Sequence, residues 1–418
     1  MTGHDPNGYE HTFFPFRFGS LTEFEWEKFG CCPVGDGPPG DADRCVSHGS
    51  DQVTDPGSRD RVAAAVPMVP GARSGVAPND DTLRDRLARD RRTIGVVLRM
   101  NEVPVLAPDY RFGGHQSFAL RIAWLPKAVA AIEAGIDPLS DPIVGVVELG
   151  LGKNMVEALR CWIEAYGVAT RGPKGWALTP MGEAIFGRRG RDRFLEDVQT
   201  LWWMHWTIST RPNGRFFAWE LLINRWTEPT FSASVVVDAF LREAERTDRR
   251  LSPVSARQHF DVWLHSYLAG RSGRGEESLD SPMTALALVR SSGERDCGGG
   301  RREPVFSFDR GPKSTLSIAT FAYALSEWWD AEYADEETAP LRDIGFGRAS
   351  PGQVFRLSEQ EVRERLLALT ADPGSGFILR ESLNQYVVHR VSRRDPLEMI
   401  SKMYASGADS PKVALVHV

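Results

Sequence analysis

The stretch from Asp141 to Gly187, DPIVGVVELGLGKNMVEALRCWIEAYGVATRGPKGWALTPMGEAIFG, constrains this chain most. A short apolar segment, Pro142 to Leu149, precedes a glycine turn at Gly150, Leu151 and Gly152. Ser140 is placed to cap that first helix, with Pro142 in its first turn and Ile143, Val146 and Val147 on one face. From Lys153 to Tyr166 the apolar residues Met155, Val156, Leu159, Ile163 and Tyr166 recur at helical spacing and predict a buried face. Lys153, Asn154, Glu157, Arg160 and Glu164 then point outward. Pro173, Lys174 and Gly175 mark a hairpin, Trp176 to Leu178 its returning strand, and Thr179 with Pro180 the cap and first turn of another helix. Helix, turn, helix and hairpin follow the order of a winged helix-turn-helix, whose second helix enters a DNA groove. Such units also serve protein contacts, and this stretch carries about as many acids as bases.

Charge sets the next limit. The chain has 418 residues, 42% hydrophobic and 25% charged, with a formal net charge of -6. That is room for two or three domains with full cores, and it excludes a protein that coats nucleic acid indiscriminately. DNA contact must come from local patches in an acidic molecule. The cysteines Cys31, Cys32, Cys45, Cys161 and Cys297 lack the paired spacing of a zinc site; Cys31, Cys32 and Cys45 with His48 form only a loose group. No secretory signal or apolar run of membrane length is present, so the expected location is cytoplasmic.

The expected class is mainly α with small β-hairpins. Residues 1–99 read as a disordered extension, rich in Gly, Pro, Asp and Ser over 31–81, because the run from Met100 looks like an ordinary protein beginning. Residues 100–190 hold the winged unit and a long helix before it, with Phe118, Ile122, Leu125, Val129 and Ile132 inward and Pro126 as a kink. Residues 191–345 form a helical domain. Its stripe Leu195, Val198, Leu201, Trp202 and Trp206 opens a helix near Phe194, and His205 reads as a satisfied core histidine. Two more helices follow at 232–247 and 253–268, a flexible loop at Gly270 to Glu277, and a short helix from Ser281 to near Arg290. SSGERDCGGGRRE is a loop of glycine and charge, and Ser314 caps a helix to about Tyr333. Residues 346–418 carry a Ser358–Glu361 capping box, a helix and a hairpin, a second winged-helix-like module.

Three groups of side chains are chemical candidates. RRGRDR, with Arg188, Arg189, Arg191 and Arg193, is the densest basic run of the ordered chain and follows the winged unit directly. Asp192, Glu196 and Asp197 are acids near a helix start. Such a group can hold a divalent cation for phosphodiester hydrolysis, and it is equally what a helix N-terminus prefers. His115, after two glycines, suits a general base or phosphate ligand, and equally a buried hydrogen-bonded histidine. GLGKN is no P-loop, because the GxxxxGK[ST] spacing is missing and Asn154 stands where magnesium needs a hydroxyl.

Four strings in order, FGGHQSFALRIAWLPK, VELGLGKNMVEALRCW, LEDVQTLWWMHW and PGQVFRLSE, resemble a bacterial family long labelled a domain of unknown function and encoded in DNA phosphorothioation loci. Its members carry a GHExF-like start, an LGVGKNMV turn and a YLEDPxTLWLLHW helix. The resemblance runs from about Phe112 to about Val391 and is to the B component of the single-strand, Ssp-type system. It implies a DNA nickase that opens one strand of duplex DNA for sulfur incorporation in phage defence. It also implies a divalent metal, Mg2+ or Mn2+, and a partner sulfurtransferase of the PAPS-reductase type. Gln116 departs from the pattern, which often has Glu there.

The resulting assignment has Lys153, Asn154 and Arg160 meeting a DNA groove. Arg171, Lys174, Arg188, Arg189, Arg191 and Arg193 meet phosphates, and Glu196 and Asp197 hold the metal with His115 as a further catalytic candidate. One such module buries only ~600–1,000 Å² on DNA, so a homodimer is expected. A non-catalytic adaptor or regulator that recruits the sulfurtransferase is the alternative, since spacing alone reveals no metal-nuclease motif.

Overall fold

Helix α1, Trp124–Glu133, is the first regular element to build the core of this computed structural model, which describes residues 110–212, 215–268, 281–382 and 385–405. The expectations for residues 1–99, for the cysteine and His48 group and for the Gly270 to Glu277 loop lie outside those residues. α1 is shorter than the periodicity predicts. Phe118 and Ile122 precede it in turns and are only half-buried, while Leu125 and Val129 are fully buried. Pro126 therefore does not kink a long helix; it sits in the first turn of a short one, where its missing N–H is not needed.

Helices α2, Pro142–Leu149, and α3, Lys153–Ala165, meet at Gly150, whose φ of 63° closes α2 in the left-handed conformation that glycine adopts without cost. The cap of α2 is Asp141, not Ser140: its carboxylate accepts from the Ile143 N–H at 2.8 Å, while the Ser140 hydroxyl donates to Asp137. Val156, Leu159 and Ile163 of α3 are buried, as their spacing predicts. Strands β2, Ala169–Gly172, and β3, Gly175–Leu178, form the antiparallel hairpin, and Thr179 caps α4, Pro180–Phe186, by accepting from the Gly182 N–H. α2 behaves differently from its pattern. Gly145 and Leu149 are its buried residues, and Ile143 and Val147 are 75% and 73% exposed.

The centre of the molecule is α5, Val198–Thr210, in which every residue except Thr207 and Thr210 is buried. It starts after Asp197 rather than at Phe194, which is exposed. A helix apolar on all sides belongs inside a large core rather than at a surface. His205 shows how α5 is tied in. Its Nδ1 accepts from the Tyr267 hydroxyl at 2.7 Å and its Nε2–H donates to the Val354 carbonyl at 2.9 Å, the satisfied core histidine that was expected.

The elements around α5 follow in order. Strand β1, Tyr110–Arg111, pairs in parallel with β4, Arg215–Phe216, and a helical segment Phe217–Trp219 runs into a π-helical turn, Glu220–Arg225. Strand β5, Thr230–Ser232, leads to α6, Ala233–Arg246, and α7, Pro253–Tyr267. Ser281 then opens only a 3-10 turn, Pro282–Leu286, because Val289 onward is a strand. That strand, β6, Val289–Asp296, pairs with β7, Arg302–Phe308, so the glycine and charge-rich segment is a hairpin and not the expected loop. Ser317, not Ser314, caps α8, Ile318–Glu332. Two short helices, Leu341–Phe346 and Pro351–Val354, bracket the turn before α9, Glu359–Ala371, which begins with the expected Ser358–Glu361 capping box. Strands β9, Phe377–Ser382, and β10, Gln385–Arg390, follow, with β8, Thr338–Pro340, on the free edge of β10, and α10, Pro396–Met403, ends the described chain.

The result is mainly helical with small sheets, and one continuous cluster of buried apolar residues runs from Tyr110 to Met403. No helix among the described residues is long and apolar enough to cross a membrane.

Candidate nucleic-acid interface

α3 is amphipathic in the sense its sequence requires. Its apolar side is packed against α2 and β2, which leaves Lys153, Asn154 and Arg160 exposed. At the hairpin, Arg171, Gly172, Pro173 and Lys174 are exposed, so the turn projects its cations into solvent. None of Lys153, Arg160, Arg171 and Lys174 has an ion-pair partner among the described residues.

The arginine run divides in two. Arg193 forms an ion pair with Glu133 at the end of α1, Nη2 to Oε2 2.9 Å, and the same carboxylate accepts from the Arg188 backbone N–H. Glu133 thus fixes the path of the run and neutralises one of its charges. The side chains of Arg188, Arg189 and Arg191 remain exposed, again without an ion-pair partner among the described residues. Arg193 is a tether as well as a cation.

Two of the three acidic candidates are engaged in hydrogen bonds at the start of α5. Asp192 is 6% exposed; one oxygen accepts from the Glu196 N–H at 2.8 Å and the other from the Asp197 N–H at 3.0 Å and the Thr200 hydroxyl at 2.5 Å. Asp197 caps α5 by accepting from the Gln199 N–H at 2.8 Å. Burial raises the Asp197 pKa, the Gln199 amide opposes this, and the Asp192 carboxylate adds to it. Glu196 is exposed, and its side chain has no hydrogen-bond partner among the described residues. Among the described residues no three His, Cys, Asp or Glu side chains converge to hold a metal. The trio does not fit a ready divalent-metal centre, because Asp192 has no free oxygen and Asp197 has already committed one.

His115 is 1% exposed and both its ring nitrogens are engaged. Its Nδ1–H donates to the Gln116 carbonyl at 2.8 Å, so its Nε2 accepts from His259 Nδ1–H at 2.8 Å, and His259 Nε2 in turn accepts from the Ala218 N–H at 3.0 Å. Every nitrogen has one role, and both rings are neutral. Burial lowers the His115 pKa to about 4 and places that of His259 well below its ordinary value. The geometry matches the buried, hydrogen-bonded reading of His115. Gln116 does face outward and donates to Glu157 of α3 at 2.8 Å. A carboxylate at 116 would meet Glu157 with like charge, so the departure from the GHExF-like pattern is matched locally.

Two features escaped sequence reasoning. Arg356 is 1% exposed, with its guanidinium 3.8 Å over the Phe308 ring and bonded to the Leu222 carbonyl; burial lowers its pKa to about 9. The other is the β6–β7 hairpin, whose charged residues gave no alternation of apolar and polar positions to read.

No curated protein matches this chain. Two solved structures share its fold. A magnesium-ion-bound SspB crystal structure has a TM-score of 0.62 at 21% identity, with 73% of this chain and 90% of that chain covered. A second SspB crystal structure has a TM-score of 0.61 at 22% identity, with 73% and 91% covered. The profile of a family described as a protein of unknown function, DUF4007, matches residues 112–404. This chain belongs to that family.

Proposed function

We propose that this protein binds duplex DNA in the cytoplasm as a component of a bacterial phosphorothioation system, alongside a sulfurtransferase of the PAPS-reductase type, and that it serves there in nicking one strand. The observation that carries the DNA contact is the exposed set Lys153, Asn154, Arg160, Arg171, Lys174, Arg188, Arg189 and Arg191, without ion-pair partners among the described residues, on and directly after one helix–turn–helix–hairpin unit. In a chain of net charge -6, cations without acidic partners are the places where phosphate can be held. In this reading the unit works as a winged helix: α3 lies in the groove and the β2–β3 turn grips the backbone. A homodimer supplies the second half of the footprint.

Arg171→Ala with Lys174→Ala should weaken binding about equally for all sequences and reduce the slope of log affinity against log salt by about 2, near one unit per lost phosphate contact. A salt titration with unchanged affinity and slope removes the hairpin from the interface.

The resemblance to the B component and the magnesium in one of the SspB structures support nicking. One observation favours the second reading, a non-catalytic adaptor that recruits the sulfurtransferase: both oxygens of Asp192 and one oxygen of Asp197 are engaged in hydrogen bonds at the start of α5. Supercoiled plasmid with Mg2+ or Mn2+ separates the two. Open-circle product that disappears in Glu196→Gln or Asp197→Asn assigns those residues to cutting, and Asn keeps the cap, so folding is preserved. Binding without nicking under either metal leaves the adaptor.

A further inference from the structure

The β6–β7 hairpin extends beyond the core as a ribbon with no buried face. Every residue from Arg290 to Arg302 is exposed. Only the inner ends of the strands are covered, where β7 pairs with β5 and Phe306 and Phe308 enter the core. The base is firmly held. Glu303 accepts from the hydroxyls of Ser232 and Ser234 at 2.7 and 2.6 Å and pairs with Arg295 at 2.7 Å, which joins the ribbon to the start of α6. A two-stranded ribbon exposed on both sides gains little stability in water on its own, so an arm anchored this well at its base is built to meet something else.

Charge and shape select the occupant. Arg290, Arg301 and Arg302 extend from the arm, and Arg290 and Arg302 are 67% and 70% exposed along their side chains. Its acids are engaged within the arm and its base: Glu294 pairs with Arg302 at 3.8 Å, Glu303 with Arg295, Asp296 accepts from the Gly298 N–H at 2.7 Å, and Asp309 pairs with Lys313 at 2.9 Å and with Arg290 at 3.8 Å. Arg301, at the tip, has no ion-pair partner among the described residues. The tip glycines Gly298, Gly299 and Gly300 have φ of 85°, 64° and 75°, and a Cβ on any of them would meet open space. They are kept for the turn and for close approach to a partner. A bulge between Ser291 and Gly293 adds twist to the ribbon. The major groove of B-DNA admits a two-stranded ribbon of this kind.

We propose that the β6–β7 arm is a second DNA contact, which lays Arg301 and Arg302 against backbone phosphates beside or within a groove while the helix–turn–helix–hairpin unit holds the same duplex. The proposal rests on the DNA-binding reading above. The arm reaches the duplex as a unit separate from α3, so it lengthens the footprint without reading sequence.

The full chain tests this with a non-specific duplex. Arg301→Ala with Arg302→Ala should lower the salt slope by about 2, as two lost phosphate contacts require, and leave the unfolding midpoint in place because both side chains lie in solvent. Duplex should also slow alkylation of Cys297, which is exposed at the tip, as read by peptide mass mapping. An unchanged slope and unprotected Cys297 in a wild type that binds DNA overturn the arm and leave the first reading intact. A wild type that binds no duplex at all overturns the first reading, and the arm with it. A variant that binds DNA normally but loses self-association in sedimentation identifies a second copy of the chain as the occupant and also overturns the proposal.

Discussion

At the scale of single residues, the buried histidines set the acid limit of this protein. His115, His259 and His205 are each 1% exposed or less, and each ring has hydrogen bonds that require the neutral form. Protonating either member of the His115–His259 pair sets an N–H against an N–H. Their pKa values are lowered by burial, to about 4 for His115 and for His205, whereas an unfolded histidine titrates near 6.5. The unfolded chain therefore takes up protons first. The stability these rings contribute is fully present above pH ~6.5 and is lost as pH falls towards 4, with each of the two worth about 3 kcal/mol at most. Glu243, which Arg246 holds down to about 2, contributes stability that is lost as pH falls through the ordinary carboxylate value towards 2. Urea midpoints measured from pH 7.5 to pH 5 should fall as the unfolded-state histidines take up protons; a flat profile across that interval refutes the neutral pair. The satisfied core reading of His205 and the buried reading of His115 were legible in the sequence; the pairing of His115 with His259 was not. The motif around His115 marks a special histidine, but its partner lies 144 residues away, and local spacing carries no information about a contact that only the fold creates.

At the scale of elements, the sequence was read well where one face packs and badly where periodicity had no partner. The buried side of α3 follows from its spacing because α2, β2 and the core cover it. The same logic failed at α2: Ile143, Val146 and Val147 do share a face, yet periodicity cannot say whether a face is covered, and this one is open. Glycine decides the packing there instead. Gly145 lets α2 approach Pro138 and Val156, where a Cβ would come 2.5 Å from Val156 Cγ1, and a Cβ on Gly182 would overlap the Val168 carbonyl. The second neighbour is backbone at the end of α3's turn into the hairpin and cannot swing away. Gly182→Ala should therefore cost at least the ~3 kcal/mol at the top of the usual overpacking range. Gly145→Ala also meets backbone, the Pro138 carbonyl oxygen at 2.4 Å as well as Val156, and should cost less only because its overlap is smaller than the 1.9 Å approach at Gly182. Ile143→Ser, on the open face, should change stability by less than ~0.5 kcal/mol. Thermal midpoints in that order support the packing; a Gly182→Ala variant as stable as wild type refutes it.

At the scale of the whole molecule, three parts drawn along the sequence at 100–190, 191–345 and 346–418 share one apolar core. The boundaries were placed at glycine, charge and capping signals, which mark the ends of elements. What such signals cannot show is that α5 is buried on every side and that His205 alone joins it to Tyr267 of α7 and to the Val354 carbonyl near the capping box. Other long-range bonds cross the same boundaries. Arg193 donates to Glu133 at 2.9 Å, Gln353 donates to the Ile223 carbonyl at 3.0 Å, and Thr200 meets the Tyr404 hydroxyl at 2.8 Å. Separately stable domains would meet across more polar surfaces and would keep their own cores. The region from Phe112 to Tyr404 should therefore unfold in one cooperative transition. In scanning calorimetry its calorimetric and van't Hoff enthalpies should agree, and tryptophan fluorescence should report the same midpoint as far-ultraviolet circular dichroism. Two resolved transitions, or a stable fragment cut near residue 190 or 346, would show that the three parts fold independently. If the transition is single and the proposed DNA contact is made, duplex held at the helix–turn–helix–hairpin unit should stabilise α5 and the C-terminal helices along with it, because ligand bound to any part of one cooperative unit raises the stability of the whole.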